Sequence, residues 1–230
     1  MKSTRVLLAL ALLFAAAISF GQDHRLELGI EGGPSRVSLR GNAFTEDFYE
    51  ADFAFSGGLS LQYNLTRHFA LRTNLHFDRK GAAADVLFTD NTGATIADSR
   101  LRSGFDYVTV PLLMRLSFGD RFKFTANAGP FVGILMMETE TADIPGDGPF
   151  EFDNTEAYEQ VDFGLSAGVG VTRSVGAHFI LSAELRNDLG LANVSAYPVV
   201  DDGTIKTNST LLLVGVAYAF CAPKAATTTP

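Results

Sequence analysis

Cysteine is almost missing from this chain: Cys221 is the single one in 230 residues. That excludes an internal disulfide and any zinc centre of the Cys₄ or Cys₂His₂ type. Tryptophan is absent, and charged residues make up only 19%. There are 18 Lys and Arg against 26 Asp and Glu, a net charge of −8. Such a chain is poorly equipped to neutralise phosphates, so no nucleic-acid partner is expected. Beyond residue 20 no window holds eighteen consecutive apolar residues, so any crossing of a membrane must be made without helices. What is plentiful is hydrophobicity (47%), with 22 Gly and 19 Phe. That excludes a disordered chain, and Gly with aromatics disfavours helix and favours strand.

The first residues read as an export signal. Lys2 and Arg5 precede an apolar run from Val6 to Phe20, followed by Gly21. A basic start, a short apolar stretch and small residues at a boundary describe a cleavable signal peptide. The run is short against the ~20 residues of a spanning helix. The sequence therefore divides into a signal peptide over 1–21, a body over 22–220 and a polar tail over 221–230. Without Lys2 and Arg5 the remaining chain has 16 basic and 26 acidic residues, a net of −10.

Period-2 alternation dominates the body. Phe53, Phe55, Leu59, Leu61, Tyr63 and Leu65 alternate with Ala, Ser, Gly, Gln and Asn. Val161, Phe163, Leu165, Ala167, Val169 and Val171 alternate with Asp162, Gly164, Ser166, Gly168 and Gly170. Similar patterns run through 26–31, 69–78, 107–118, 122–134, 179–188 and 212–220. This predicts eight strands, most of a length that crosses a bilayer when tilted (~9–11 residues). Tight turns are expected at Thr66–His68, Gly119–Arg121 and Ser174–Gly176. Long links are expected at Pro34–Asp52, Gly81–Gly104, Met136–Gln160 and Leu189–Asn208. Short turns on one rim and long loops on the other characterise outer-membrane barrels.

Alternation also fits a soluble, lipocalin-like barrel, in which the apolar stripe points inward. The second face decides between the two. It carries Gly58, Gly129, Gly133, Gly164, Gly168, Gly170 and Gly215 with Ser, Asn and Gln, too little charge for a water-facing wall. Small residues suit the interior of a narrow barrel. Tyr63, Phe69, Phe118, Phe122, Phe179, Tyr218 and Phe220 lie near the short turns, where an interfacial aromatic girdle belongs. The expected fold is an all-β, eight-stranded antiparallel up-and-down transmembrane barrel with its apolar face toward lipid.

The polar face places Glu27, Glu31, Asp78, Asp162, Glu184 and Asp188 against Arg72, Arg115, Lys123 and Arg186. Such charges can line a conduction path, or they can pair and fill a closed lumen. Eight strands leave room only for side chains, which favours the filled lumen. Pro111 and Pro130 fall roughly opposite each other across the Asp120 turn, and since proline cannot donate to a ladder, a bulge or local irregularity is expected there.

No catalytic, cofactor-binding or metal-binding residue is assigned. Of the histidines, His24 lies near the mature start, His68 and His178 flank turns, and His76 sits on the polar face with Arg72, Asn74 and Asp78. Neither a phosphate loop nor a nucleophile elbow is present. The 136–160 segment holds eight acids and no Lys or Arg, and the four long links together carry 17 acids and 5 basic residues. Oxygen-rich segments can bind Ca²⁺, but the spacing of an EF-hand is missing. A solvated, mobile surface loop is expected, which could also bridge through cations to lipopolysaccharide.

Gly29-Ile30-Glu31-Gly32-Gly33, Asp106-Tyr107-Val108-Thr109-Val110-Pro111-Leu112-Leu113, and Ala183-Glu184-Leu185-Arg186 with Gly190-Leu191 resemble segments of a Bacteroidetes family of outer-membrane β-barrels often labelled porin-like. The resemblance spans Gln22 to Phe220 and implies an outer-membrane location in a Gram-negative envelope. Members of that family are functionally mixed, and some assist secretion. Its barrels usually end on an aromatic, whereas here Phe220 is followed by Cys221–Pro230.

The expected function is a structural or surface-interaction role, without catalysis or cofactor. Its partners would be outer-membrane lipid and lipopolysaccharide, with an envelope or extracellular protein, the chain itself being a monomer. An accessory barrel in envelope transport or secretion is the alternative, and a lipid-modifying enzyme a remote one.

Overall fold

A computed structural model describes residues 26–89, 95–144, 148–199 and 202–220. The signal peptide over 1–21 and the tail over 221–230 lie outside the described residues. Nine strands form one antiparallel sheet: β1 (Leu26–Gly41), β2 (Asp52–Asn64), β3 (Phe69–Thr89), β4 (Thr95–Phe118), β5 (Lys123–Ile144), β6 (Gly148–Asp153), β7 (Val161–Val175), β8 (Phe179–Gly190) and β9 (Ile205–Ala219). Each of β1–β5 pairs with its sequence neighbour, β5 passes to β7, and β9 returns to β1. Eight strands thus close a ring, and β6 hangs outside it as the return arm of a hairpin on β5. Closure runs from Glu27↔Ala219 to Gly41↔Ile205, and the N–H of Phe220 donates to the Leu26 carbonyl at 2.9 Å.

The alternating face points outward, toward lipid. Ile30, Phe55, Leu59, Phe77, Leu112, Val132, Phe163, Leu165, Val169, Leu185 and Val214 are all exposed. Their partners on the polar face are buried, among them Ser56, Ser60, Asn74, Thr109, Asn127, Ser166 and Ser209. Burial of small polar residues with exposure of large apolar ones is the inverse of a soluble barrel. The girdle aromatics Phe69, Phe118, Phe122, Phe179 and Phe220 are exposed near the short turns. Gly119 and Gly176 take positive φ in two of those turns, a conformation that suits glycine.

Two expectations are corrected. Two of the long links, 81–104 and 136–160, are largely strand, with β3 reaching Thr89 and β4 starting at Thr95, and β1 runs ten residues past Glu31, whereas Leu189–Asn208 stays a long link. Backbone pairing thus continues above the apolar band, because β3 and β4 stay in one register from Phe69↔Leu116 to Phe88↔Ala97. The described part of the acidic 136–160 segment is likewise strand and not irregular loop, since Thr139↔Asp153 to Ile144↔Gly148 pair β5 with β6. A short 3-10 turn, Thr155–Ala157, then folds back over the barrel mouth. At the prolines the expected irregularity takes the form of a gap in the ladder and not of a register shift. Pairing runs to Pro111↔Phe131 and resumes at Met114↔Ala128 with the same offset, so the missing donors interrupt the ladder without displacing it. The bulge lies higher, between Asp106 and Tyr107, where Met136 is the extra residue. It leaves Met136 and Met137 both exposed and turns Glu138 inward.

Candidate functional site

The lumen is the only place where buried charge concentrates among the described residues, and it has two storeys. In the lower storey, toward the short turns, inward positions of β1, β3, β4 and β8 project Glu31, Arg72, Arg115, Glu184 and Arg186, each under a tenth exposed. Glu184 binds both Arg115 and Arg186 at 2.6 Å. Glu31 pairs closely with Arg72, accepts from Asn74 Nδ2 at 2.8 Å and lies 3.4 Å from Arg186. Arg115 also donates to Gln62 Oε1 at 2.8 Å. His76 is 3.1 Å from the same Glu31 carboxylate, so it sits at the centre of the lumen and not at the bilayer edge. Two further carboxylates are held by hydroxyls: Ser166 donates to Asp188 at 2.5 Å, and Ser56 donates to Asp78. Such pairing is what permits ions in a low-dielectric interior.

Just above, Lys80 joins Asp162 at 2.9 Å, and Thr207 donates to that carboxylate at 2.6 Å. The ammonium lies 4.4 Å from the Phe131 ring centre and 4.9 Å from that of Tyr107, a cation–π arrangement. Lys80 is not among the sequence-predicted charges. It stands two positions past Asp78, where the alternation of β3 gives way to Gly81-Ala82-Ala83-Ala84, all buried. Lys123, which is among them, is half-buried near the short turns and not in the ion-pair cluster.

The upper storey is apolar. Leu39, Ala82, Phe105, Tyr107 and Leu135 pack together, with Tyr49, Tyr158 and Ile205 against them. Phe105 meets Tyr158 edge-on with centroids 4.6 Å apart. Tyr49 arrives from α1 (Ala43–Phe48), whose start is capped by the Asn42 side chain accepting from Thr45 N at 3.1 Å. Tyr158 arrives from the 3-10 turn, anchored by Glu138 N donating to Thr155 Oγ1 at 2.8 Å. Inside this cap the Glu138 carboxylate is 1% exposed, and neither of its oxygens has a hydrogen-bond partner. Burial, with Glu140 and Asp153 adding to it, pushes its pKa up to about 7. Burial beside Glu138 also raises Tyr158.

At the short-turn end the lumen opens into a polar space of only about 50 Å³, bordered by Glu27, Gln62, Arg72, Arg115, Arg121 and Lys123. That admits a few waters and no larger solute. Among the described residues there is no group of three or more His, Cys, Asp or Glu placed to hold a metal ion. His178 stacks on Tyr218 at 5.1 Å, its Nδ1 lying 3.1 Å from the Ala219 carbonyl oxygen.

Comparison with known proteins gives one family match and a set of structural likenesses. The family described as outer membrane protein beta-barrel domain matches residues 19–196. No curated protein matches the chain in sequence. Among solved structures, Neisserial surface protein A is similar at 15% identity and a TM-score of 0.44, over 84% of this chain and 96% of that one. A major outer membrane protein of Thermus thermophilus is similar at 14% identity and a TM-score of 0.47, over 86% of this chain and 100% of its own. OprG of Pseudomonas aeruginosa is similar at 13% identity and a TM-score of 0.41, over 85% and 96%.

Proposed function

Because this chain belongs to the outer membrane protein beta-barrel domain family, we propose that it is a closed barrel whose work is done at its surfaces. Its location is the outer membrane. The observation that carries the reading is the lumen, packed with ion pairs below and aromatic side chains above. A solute would have to break pairs such as Arg186–Glu184 and displace Phe105 and Tyr158 together. What remains available to a partner is the outer wall and the β3–β4–β5–β6 extension above the apolar band. On this reading the protein is monomeric, catalyses no reaction, and takes outer-membrane lipid, lipopolysaccharide and an envelope or extracellular protein as partners. A Bacteroidetes origin is inferred from the resemblance of Gly29–Gly33 and Asp106–Leu113, which lie on β1 and β4.

Planar-bilayer recording tests the central point. The mature chain should give no sustained single-channel current, and a variant lacking Thr155–Tyr158 should still hold the lower barrier. Steady conductance by the unaltered barrel would overturn the reading. Pull-down with a hairpin variant in which Glu138–Asp153 is replaced by a short turn separates surface binding from barrel integrity.

A further inference from the structure

Between β2 and β3 the wall is parted over a short stretch. Their ladder ends at Ser56↔Asp78, and the chains meet again at the Glu50↔Ala83 bridge. Between these points Asp52–Phe55 keep their pairing to β1 while β3 stays with β4. A cavity of about 370 Å³ occupies the gap, bordered by Asp52, Phe53, Arg79, Gly81, Arg102 and Gly104. That is the size of a small-ligand site. Gly81 holds φ at +144°, and a Cβ there would stand 1.9 Å from the Ser103 carbonyl oxygen. The departure of β3 from β2 is therefore tied to a residue that only glycine fits.

Its height is set by its banks. Phe77 on β3 is exposed, and the next outward position on that strand is Arg79. On the other bank stand Phe55 and Phe53, the latter 78% exposed. The cleft thus straddles the upper edge of the apolar band, the level at which lipid headgroups meet the wall.

Two guanidinium groups converge there. That of Arg79 lies across Gly104, where a Cβ would come within 2.7 Å of Nη2. Arg102 is the next outward position on the same strand. Their carboxylate neighbours sit at opposite ends: Asp106 is 3.8 Å from Arg79 Nε, and Asp52 is 3.6 Å from Arg102 Nε. Both separations exceed the ~2.7–2.9 Å of a charge-assisted hydrogen bond, and Asp106 Oδ1 makes no hydrogen bond. Each guanidinium carries five N–H donors, so capacity for an anion remains. A phosphate accepts such forks in bidentate fashion.

We propose that the β2–β3 cleft binds a lipid A molecule by a phosphate, held between Arg79 and Arg102, with an acyl chain lying over Phe53, Phe55 and Phe77. The site rests on the outward-facing apolar wall of the proposed function and supplies the lipid partner with an address.

The test uses the mature chain in phosphatidylcholine nanodiscs containing lipid A, with lipid retained after detergent extraction counted by native mass spectrometry. The unaltered barrel should retain lipid A, and the Arg79→Gln/Arg102→Gln variant should retain about tenfold less, a loss of the size expected for charge-assisted contacts. Gly104→Val, which displaces the Arg79 guanidinium while keeping its charge, should also lower retention. Lys206→Gln, on β9 away from the cleft, should not. Heat-modifiable gel mobility verifies that each variant is folded. Unchanged retention in the double variant, equal loss in the Lys206 variant, equal retention of dephosphorylated lipid A, or displacement by equimolar inorganic phosphate would each overturn the site. A conducting barrel that still retains lipid A would refute the closed lumen and not the cleft.

Discussion

In the lower lumen Arg72, Arg115 and Arg186 interlock with Glu31 and Glu184, whereas in the upper lumen Phe105, Tyr107 and Leu135 pack against Tyr49 and Tyr158. The lower storey is built from inward residues of the strands and is therefore fixed by barrel register. Slipping one strand by a single residue would carry its charges to the lipid face. The upper storey borrows side chains from α1 and the 3-10 turn, so its closure depends on segments that are not part of the ring. One half resists solute by matched charge within the wall, and the other by apolar contact with a cap.

That contrast can be broken from either side. The largest effect is expected from Glu184→Ala, which leaves Arg115 and Arg186 without the carboxylate they share. Loss of one member of a buried pair costs about 3–5 kcal/mol, read as an earlier urea midpoint for the barrel in vesicles. Replacing Glu184 and Arg186 together by Leu and Met should cost less than Glu184→Ala alone, because one of the two stranded cations leaves with the acid. Equal costs would mean that the pairs are not coupled.

Phe105→Ala should follow at about 3 kcal/mol, the low end for an aromatic truncated in a packed core. Its distinguishing mark is local: protease should reach the cap before the ring unfolds. Loss of the ring and the cap in one step would erase the distinction between the storeys.

A smaller, pH-dependent effect belongs to Glu138. Its folded carboxyl titrates at about 7 against an ordinary value of 4.5, so the folded state binds the proton more tightly. The associated stability is fully present below pH 4.5 and is lost as pH rises to about 7. Glu138→Gln should flatten this slope and stabilise the cap at about pH 8, above the folded titration, measured as the temperature at which the compact gel band converts. A steeper slope in the variant would locate the titration elsewhere. The smallest change is expected for Arg67→Ala, whose 2.5 Å pair with Asp120 links two short turns in full solvent exposure. Exposed pairs contribute about 0–1 kcal/mol, and a clear shift would show that the short-turn rim is more ordered than its exposure indicates.

The ring is legible wherever alternation is strict. Val161–Val171 reads as a strand in sequence and lies wholly within β7, and the inward glycines fall where the narrow interior needs them. The strand extensions are not legible, because their periodicity is interrupted for physical reasons. Gly81–Ala84 is buried throughout, being covered from both faces. Arg100 and Arg102 reach across this stretch toward Glu50 and Asp52, which demands small residues beneath them. On β5 the Met136 bulge shifts the period by one, so that Glu138 looks solvent-facing in sequence and is buried in fact. The short β6, with only Phe150 and Phe152 alternating among acids and glycine, is too brief to distinguish from a loop. Lys80, Asp106 and Glu138, the three buried charges that sequence reading misses, all lie beside such interruptions.

The length of β3 has one more consequence. From Arg79 to Thr89 the strand continues past its lipid-facing portion, and at ~3.3 Å per residue it rises on the order of 30 Å. Together with β4 it forms a mast on one side of the molecule, stiffened by continuous pairing. A macromolecule approaching from outside the membrane therefore meets this side of the barrel first.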